Sequence, residues 1–449
     1  MKRDAYGKLL EWKRSGWRKP LLLRGARQTG KTYLLKEFGR EEYRKAHCLD
    51  FERDPRLADF FERDLKPERI IADLSIYLRE DIRAGEDLLI FDEIQASNRA
   101  LTSLKYFNES ASGFHIAAAG SLLGVTLSNP GSFPVGKVDF LDLFPMSFLE
   151  FLDGVGESMY REYLERIDDF VPLPEAFHEE LSDLLRRYCF VGGMPEAVRE
   201  YSDNRDLERV REIQLGILDS YALDFAKHAP IADIPKLALI WESLPVQLAR
   251  ENKRFLFSAV KKGARAREYE DALGWLEGAG LIHRAFCTNT AKSPLKAYSN
   301  RQLFKIYVLD VGLLAAMARL PAELVIRGDR LFTEFWGSFT ESLVAQYLRM
   351  AFGKEMYYWR SPKGTAEVDF LCEIGMEIIP LEVKSGLNPR SKSLRSFIQR
   401  FKSKYPIRTT PLNLRKDGRI GNIPLYALPL LEKLVFVQLH AAEKDADFS

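Results

Sequence analysis

The first third of the chain predicts an α/β fold built on a parallel sheet, and three observations carry that prediction. Leu21, Leu22 and Leu23 form a continuous apolar run, the pattern of a strand buried on both faces. The run leads into Gly25, Ala26, Arg27, Gln28, Thr29, Gly30, Lys31 and Thr32, a complete G-x-x-x-x-G-K-[ST] phosphate-binding pattern. Leu34, Leu35 and Phe38 then recur at helical spacing, so the pattern stands between a strand and a helix, the context that gives it chemical meaning.

The remaining elements follow in order. His47 to Phe51 reads as a second strand, with helical segments near 55–63 and 68–80. Asp87-Leu88-Leu89-Ile90-Phe91-Asp92 is a third strand, followed by a helix over 98–109 and strands over 114–119 and near 138–144. Residues 1–152 are thus expected to form the α/β unit. Residues 153–235 turn helical, with charged amphipathic segments at 157–167, 175–190 and 205–226. In residues 236–300, Tyr269, Ala272, Leu273 and Leu276 define a helix that ends at Gly278-Ala279-Gly280, and Leu281 to Phe286 alternate like a strand. A short helix, a turn at Gly263, a longer helix and a strand make the order of a winged helix. Residues 301–425 predict a further α/β domain, and 426–449 a C-terminal tail frayed at its end.

Lys+Arg number 66 and Asp+Glu 64, a net charge of +2, so any nucleic-acid footprint has to be local. Cys48, Cys189, Cys287 and Cys372 lie far apart with no metal-binding spacing, as expected of reduced thiols in a cytoplasmic protein. The N-terminal residues lack the apolar core of a signal peptide, and no run is long enough to span a bilayer.

The loop chemistry points to a nucleoside triphosphate. Main-chain N–H groups of residues 25–33 (Tyr33 included) would face the phosphates, Lys31 would add a point charge near the β/γ positions, and the Thr32 hydroxyl would ligate Mg²⁺. Asp92, closing the third strand, would support the metal, and Glu93 would polarise the attacking water. Ser121 ends the next strand, placed either to sense the γ-phosphate or to cap a following helix.

Near the C-terminus, Glu367-Val368-Asp369-Phe370 and Pro380-Leu381-Glu382-Val383-Lys384 read as two strands joined through Gly375. Residues two apart share a face, so Glu382 and Lys384 point together, and pairing of the strands would bring in Asp369. Two carboxylates and a lysine suit a hard-oxygen Mg²⁺ site. Lys384, Arg390, Lys392, Arg395, Arg400, Lys402, Lys404 and Arg408 follow without an intervening acid, which suits a phosphodiester backbone. A solvated helix face is the bland alternative for this run. Arg265 and Arg267 would begin the recognition helix of the winged helix.

These motifs together resemble the prokaryotic AAA-type ATPases that carry a C-terminal domain of unknown function, relatives of archaeal and STAND ATPases. Phe91-Asp92-Glu93-Ile94-Gln95, Gly120-Ser121, the run from Phe144 to Phe151, Gly192-Gly193-Met194-Pro195 and Asp310-Val311-Gly312-Leu313 carry the likeness. It implies an AAA+-like P-loop sheet, a helical lid, a winged helix and a PD-(D/E)xK nuclease-like domain. It also implies that Pro195 lies near the nucleotide base and that Glu341 is a further metal-site acid beside Asp369 and Glu382. One departure concerns Lys137, which stands where the family often has an arginine; lysine lacks the planar fork that matches a phosphoryl group. The expected protein binds and hydrolyses ATP with Mg²⁺, and its nucleotide state controls a DNA-binding C-terminal half with a Mg²⁺-dependent nuclease site at Asp369, Glu382 and Lys384. The alternative is a regulatory switch with an inert nuclease-like domain. ATP and DNA are the expected partners, with a homo-oligomer or a protein partner beside them and no membrane.

Overall fold

The computed structural model describes residues 1–121, 134, 136–250, 254–323, 333–353, 355–386 and 391–437. They divide into two compact units, residues 1–144 with Gly278–Gly280, and the remainder. Arg390, the segment after Ser121 and the last seven residues, on which some expectations rested, lie outside the described residues. Among the described residues no helix is long and apolar enough to cross a membrane.

In the first unit, β1 (Leu21–Gly25), β2 (Lys45–Asp50), β3 (Asp87–Asp92), β4 (His115–Ser121) and β5 (Asp139–Asp142) form a parallel sheet in the order β2-β3-β4-β1-β5. Side chains alternate between its faces. Leu22, Leu89, Phe91, Ile116 and Ala118 pack against the helices Pro67–Leu78 and Asn98–Ser110. Leu21, Leu23, Leu88, Ile90, Ala117 and Ala119 pack against Ala5–Arg14 and Lys31–Glu42. The continuous apolar runs are therefore the mark of a sheet covered on both sides. The helix expected near 55–63 is a 3₁₀ segment, Pro55–Phe61.

The second unit begins with the helices Phe148–Gly154, Ser158–Arg166, Glu175–Val191, Pro195–Asn204 and Leu207–His228. A reciprocal pair of hydrogen bonds between Ser147 and Glu150 closes the start of the first, satisfying two amides that the helix itself leaves over. Helices Ile234–Leu248, Phe257–Val260 and Ala266–Gly278 lead into an antiparallel hairpin of β6 (Ile282–Thr288) and β7 (Ser299–Val308).

β6 also pairs in parallel with β8 (Met356–Arg360). Beyond β8 come β9 (Glu367–Ile374), β10 (Glu377–Val383), β11 (Ile407–Thr410), β13 (Ile420–Pro424) and β12 (Arg415–Asp417), completing one eight-stranded sheet. The boundary drawn at residue 300 therefore falls inside β7, and residues 236–300 and 301–425 share a sheet. Six of the seven β6 residues are buried, as suits a strand with a neighbour on each side rather than a solvated wing. The region after 425 is likewise packed at its start, where Leu431, Leu434 and Val435 are buried at helical spacing.

Two motifs meet inside this second unit. Asp310 is fully buried, and its carboxylate accepts hydrogen bonds from the Gly193 and Leu313 amides at 2.7 and 2.9 Å. Burial raises its pKa to about 6, against the pull of those donors. The backbones of Gly192 and Gly312 touch: a Cβ on Gly312 would lie 2.6 Å from the Gly192 Cα. Since neither backbone can retreat without losing the Asp310 bonds, Gly312→Ala should destabilise the protein by about 3 kcal/mol. Urea unfolding of the variant beside the wild type measures the difference.

Candidate functional site

The phosphate-binding loop sits at the carboxyl end of β1, where open α/β sheets take their ligands. Gly30 adopts φ 90° as it enters the helix Lys31–Glu42, and Gln28 is also left-handed at φ 64°. Gly25 serves close approach, for a Cβ there would meet the Leu143 carbonyl oxygen at 2.2 Å. Thr29 is fully buried and its hydroxyl donates to the Ala26 carbonyl at 2.9 Å, closing the loop on itself. Arg27 is half-buried, Gln28 exposed, and Tyr33 turns outward at 58% exposure, which gives its side chain no share in the loop.

Lys31 Nζ donates to the carbonyls of Gly25 and Ala26 at 3.1 and 2.9 Å, so its ammonium lies within the loop's curve. Burial lowers its pKa to about 8, although Glu93 and Asp92 oppose the shift. Thr32 Oγ1 donates to Asp92 Oδ1 at 3.0 Å, so the hydroxyl and carboxylate expected to hold Mg²⁺ already meet. These are hard oxygen donors, and the set fits that ion. Burial, then the charges of Glu93 and Asp50, raise Asp92, against the hydrogen bond from Thr32.

Glu93 stands at φ 48°, a left-handed conformation unusual for a side chain of this kind, and its carboxylate accepts from the Gln95 amide. Ser121 pairs in register with Gly25, so it borders the loop from β4. Gly25, Lys31, Thr32, Asp92, Glu93 and Ser121 are thus gathered at the ends of three adjacent strands. Lys137 instead pairs with Glu109 at 2.9 Å, both partly exposed.

Two residues outside the motif belong to this site. Arg3 is buried and donates to the Thr29 carbonyl at 2.9 Å and the Phe144 carbonyl at 2.6 Å, bracing the loop from the N-terminal segment. Gln95 holds Glu93 while its own Oε1 is buried without a partner. Nothing in the sequence marked Arg3 apart from its neighbours. Gln95 was visible only as part of the Asp92-Glu93-Ile94-Gln95 run.

In the second unit, Pro195 opens the helix Pro195–Asn204, directly after the Gly193 carbonyl that accepts from the Met146 amide at 2.6 Å. The strands that carry the C-terminal carboxylates are neighbours. β9 and β10 pair antiparallel around Gly375, and Asp369 Oδ2 accepts from the Val383 amide at 2.8 Å. Lys384 Nζ lies 2.7 Å from Glu382 Oε1. Glu341, on the helix Thr333–Phe352, is buried and accepts from the Tyr307 hydroxyl at 3.1 Å.

Lys305 on β7 belongs to the Phe304-Lys305-Ile306-Tyr307 run that shares in the family resemblance, but sequence reasoning gave it no place in the site. It is almost wholly buried, 2.8 Å from Glu367, 3.7 Å from Glu341 and 3.8 Å from Asp369. Burial opposes its charge, but Glu341, Tyr307, Asp369 and Glu367 outweigh it and raise its pKa well above the ordinary lysine value. Burial also raises Asp369, helped by the charges of Glu341 and Glu382. For Glu382 the same cause acts against Lys384.

The basic run divides. Lys392, Arg395, Arg400 and Lys402 are exposed on and beside the helix Lys392–Phe401, whereas Arg408 is buried against Asn422 and Asp417 and Lys404 pairs with Glu377 at 3.0 Å. Arg408 is a structural ion pair, so the footprint is smaller than the residue count suggests. Arg265 and Arg267 are exposed at the start of the helix Ala266–Gly278.

Comparison with known proteins agrees with the first unit. Residues 17–152 match the model of the AAA domain family, so this part of the chain is similar to AAA domains, in agreement with the phosphate-binding pattern it carries. Residues 182–324 and 336–428 match two domains of unknown function, DUF8612 and DUF4143. No curated protein matches the chain. Among solved structures, the Walker-type ATPase paby2304 of Pyrococcus abyssi is similar at 15% identity and TM-score 0.43, over 71% of this chain and 95% of that one. The Aeropyrum pernix ORC1 protein in complex with DNA is similar at 13% identity and TM-score 0.29, over 72% and 94%. The Thermotoga maritima RuvB Holliday junction branch migration motor matches at 16% identity and TM-score 0.30, over 66% and 90%.

The pKa of Lys31 has a consequence for nucleotide binding. A polyphosphate prefers the protonated ammonium, so above pH 8 binding has to draw in a proton. The affinity for Mg·ATP should fall about tenfold per pH unit there. Calorimetry in two buffers of different ionisation enthalpy should show proton uptake growing between pH 7 and 9.

Proposed function

We propose that the chain binds and hydrolyses ATP in its first unit, and that nucleotide state there controls a DNA-directed C-terminal half. The observation that carries the reading is the hydrogen bond between Thr32 and Asp92 beside Lys31 and Glu93, the arrangement a P-loop hydrolase requires. The loop amides and Lys31 bind the β- and γ-phosphates, and Arg3 fixes the loop that carries those amides. Thr32 and Asp92 would hold Mg²⁺, which supplies positive charge between the phosphates. Glu93 orients the attacking water and takes its proton, with Gln95 setting the carboxylate's direction. Ser121 reads the γ-phosphate from β4.

For the C-terminal half, two observations support contact with DNA: the exposed Lys392, Arg395, Arg400 and Lys402, and the exposed Arg265 and Arg267 at the start of the helix that leads to the β6–β7 hairpin. Lys305 inside the carboxylate cluster favours the second reading for this half, a nuclease-like domain that binds without cutting.

Glu93→Gln should lower ATP turnover by about a hundredfold or more while leaving Mg·ATP affinity within about twofold. Wild-type turnover in that variant would refute the assignment. DNA affinity should weaken linearly in log–log coordinates with salt. Replacing Lys392, Arg395 and Arg400 together by alanine should reduce the slope by about one per lost phosphate contact. Fluorescence anisotropy with labelled duplex from about 50 to 200 mM salt measures it.

A further inference from the structure

Mg²⁺ at a D…ExK cluster is held by carboxylate oxygens at about 2.0–2.1 Å in near-octahedral geometry. The oxygens that could do this surround a side chain of the protein itself. Lys305 Nζ lies within ion-pair distance of Glu341, Glu367 and Asp369, and only 2% of the lysine side chain reaches solvent. Tyr307, two residues on and therefore on the same face of β7, donates to Glu341 Oε2 at 3.1 Å. Asp369 spends its other oxygen on the Val383 amide, and Glu382 gives Oε1 to Lys384. Glu382 Oε2 is buried with no partner. Among the described residues, no three acids, histidines or cysteines are grouped closely enough to hold a metal ion. The donor chemistry suits Mg²⁺, but an ammonium of the protein already stands among these oxygens.

We propose that Lys305 takes the divalent cation's place, so that the cluster is a metal-free ion network and the domain keeps the D…ExK constellation without metal-dependent phosphodiester cleavage. The ammonium supplies permanently the positive charge that a metal would supply reversibly. It also ties the β6–β7 hairpin to β9 and to the helix Thr333–Phe352. The assignment stands whether or not the first unit hydrolyses ATP, because it concerns residues of the second unit alone.

The test is Mn²⁺ titration of the full-length, nucleotide-free protein, followed by the electron paramagnetic resonance signal of the free ion. Wild type should show no site that Asp369→Asn removes at Mn²⁺ concentrations up to about 1 mM. Lys305→Met, close in length and without charge, should gain one Mn²⁺ per chain, at least about tenfold tighter than any binding in wild type. That gain should disappear in the Lys305→Met, Asp369→Asn double variant. A stoichiometric wild-type site abolished by Asp369→Asn or Glu382→Gln would overturn the proposal, as would a folded Lys305→Met that gains none. Should Lys305→Met fail to fold because it leaves buried carboxylates unpaired, wild type against Asp369→Asn still decides. Equal Mn²⁺ uptake supports the assignment, and loss in the variant overturns it.

Discussion

The close approach of Gly25 to the Leu143 carbonyl is the constraint from which the first unit's site is built. With no side chain at Gly25, the end of β1 can lie against the chain leaving β5, and the Leu143 amide donates to the Arg24 carbonyl at 2.6 Å. Arg3 fastens the same place from a third direction, through the carbonyls of Thr29 and Phe144. A loop meant to offer its amides to an anion has to be held by its carbonyls and its few side chains. Thr29, Lys31 and Arg3 all act on carbonyls rather than on the loop's amides. Preorganisation of this kind lowers the ordering cost at the moment of binding.

Much of this was legible in the chain because period and spacing carry it. The apolar runs at 21–23 and 88–91 could only be buried strands, and the six-residue interval from Gly25 to Lys31 could be read against a known chemical need. What escaped were contacts made across long sequence separations by ordinary residues. Arg3 is one arginine in a basic lead-in until the fold brings it to Thr29. Lys305 is one residue of the Phe304-Lys305-Ile306-Tyr307 run, with no partner in view, until the fold brings it to the carboxylates. The shared sheet was hidden for the same reason: β6 pairs with β8 some seventy residues downstream, and no local pattern announces a partner at that distance.

Glycine and aspartate solve a related problem in the second unit. Gly192 and Gly312 bring two backbones into contact, which leaves the Gly193 and Leu313 amides pointing at one buried spot. Asp310 fills that spot, and Gln346 joins it to Tyr188 by accepting from the Val311 amide and donating to the Tyr188 hydroxyl at 2.9 Å. Satisfying buried donors is obligatory, and a charged acceptor does so most strongly. The Gly192-Gly193-Met194-Pro195 and Asp310-Val311-Gly312-Leu313 motifs therefore have a packing role in full view. Any duty of Pro195 toward a nucleotide base would be an addition to it.

The two carboxylate sites use the same residue types to opposite ends. At the loop, Asp92 and Glu93 face one buried ammonium, Lys31, whose bonds run to main-chain carbonyls rather than to the acids. Those acceptors are neutral carbonyls, so a polyphosphate can take the ammonium over without leaving a carboxylate unpaired. In the C-terminal cluster Lys305 is bonded to the acids themselves, and removing it from them would leave several buried charges uncompensated. A site built to receive a charged ligand keeps its cation on weak partners. A site that commits its cation to strong ones is held as structure, and on the proposed reading that is the part Lys305 plays in the second unit.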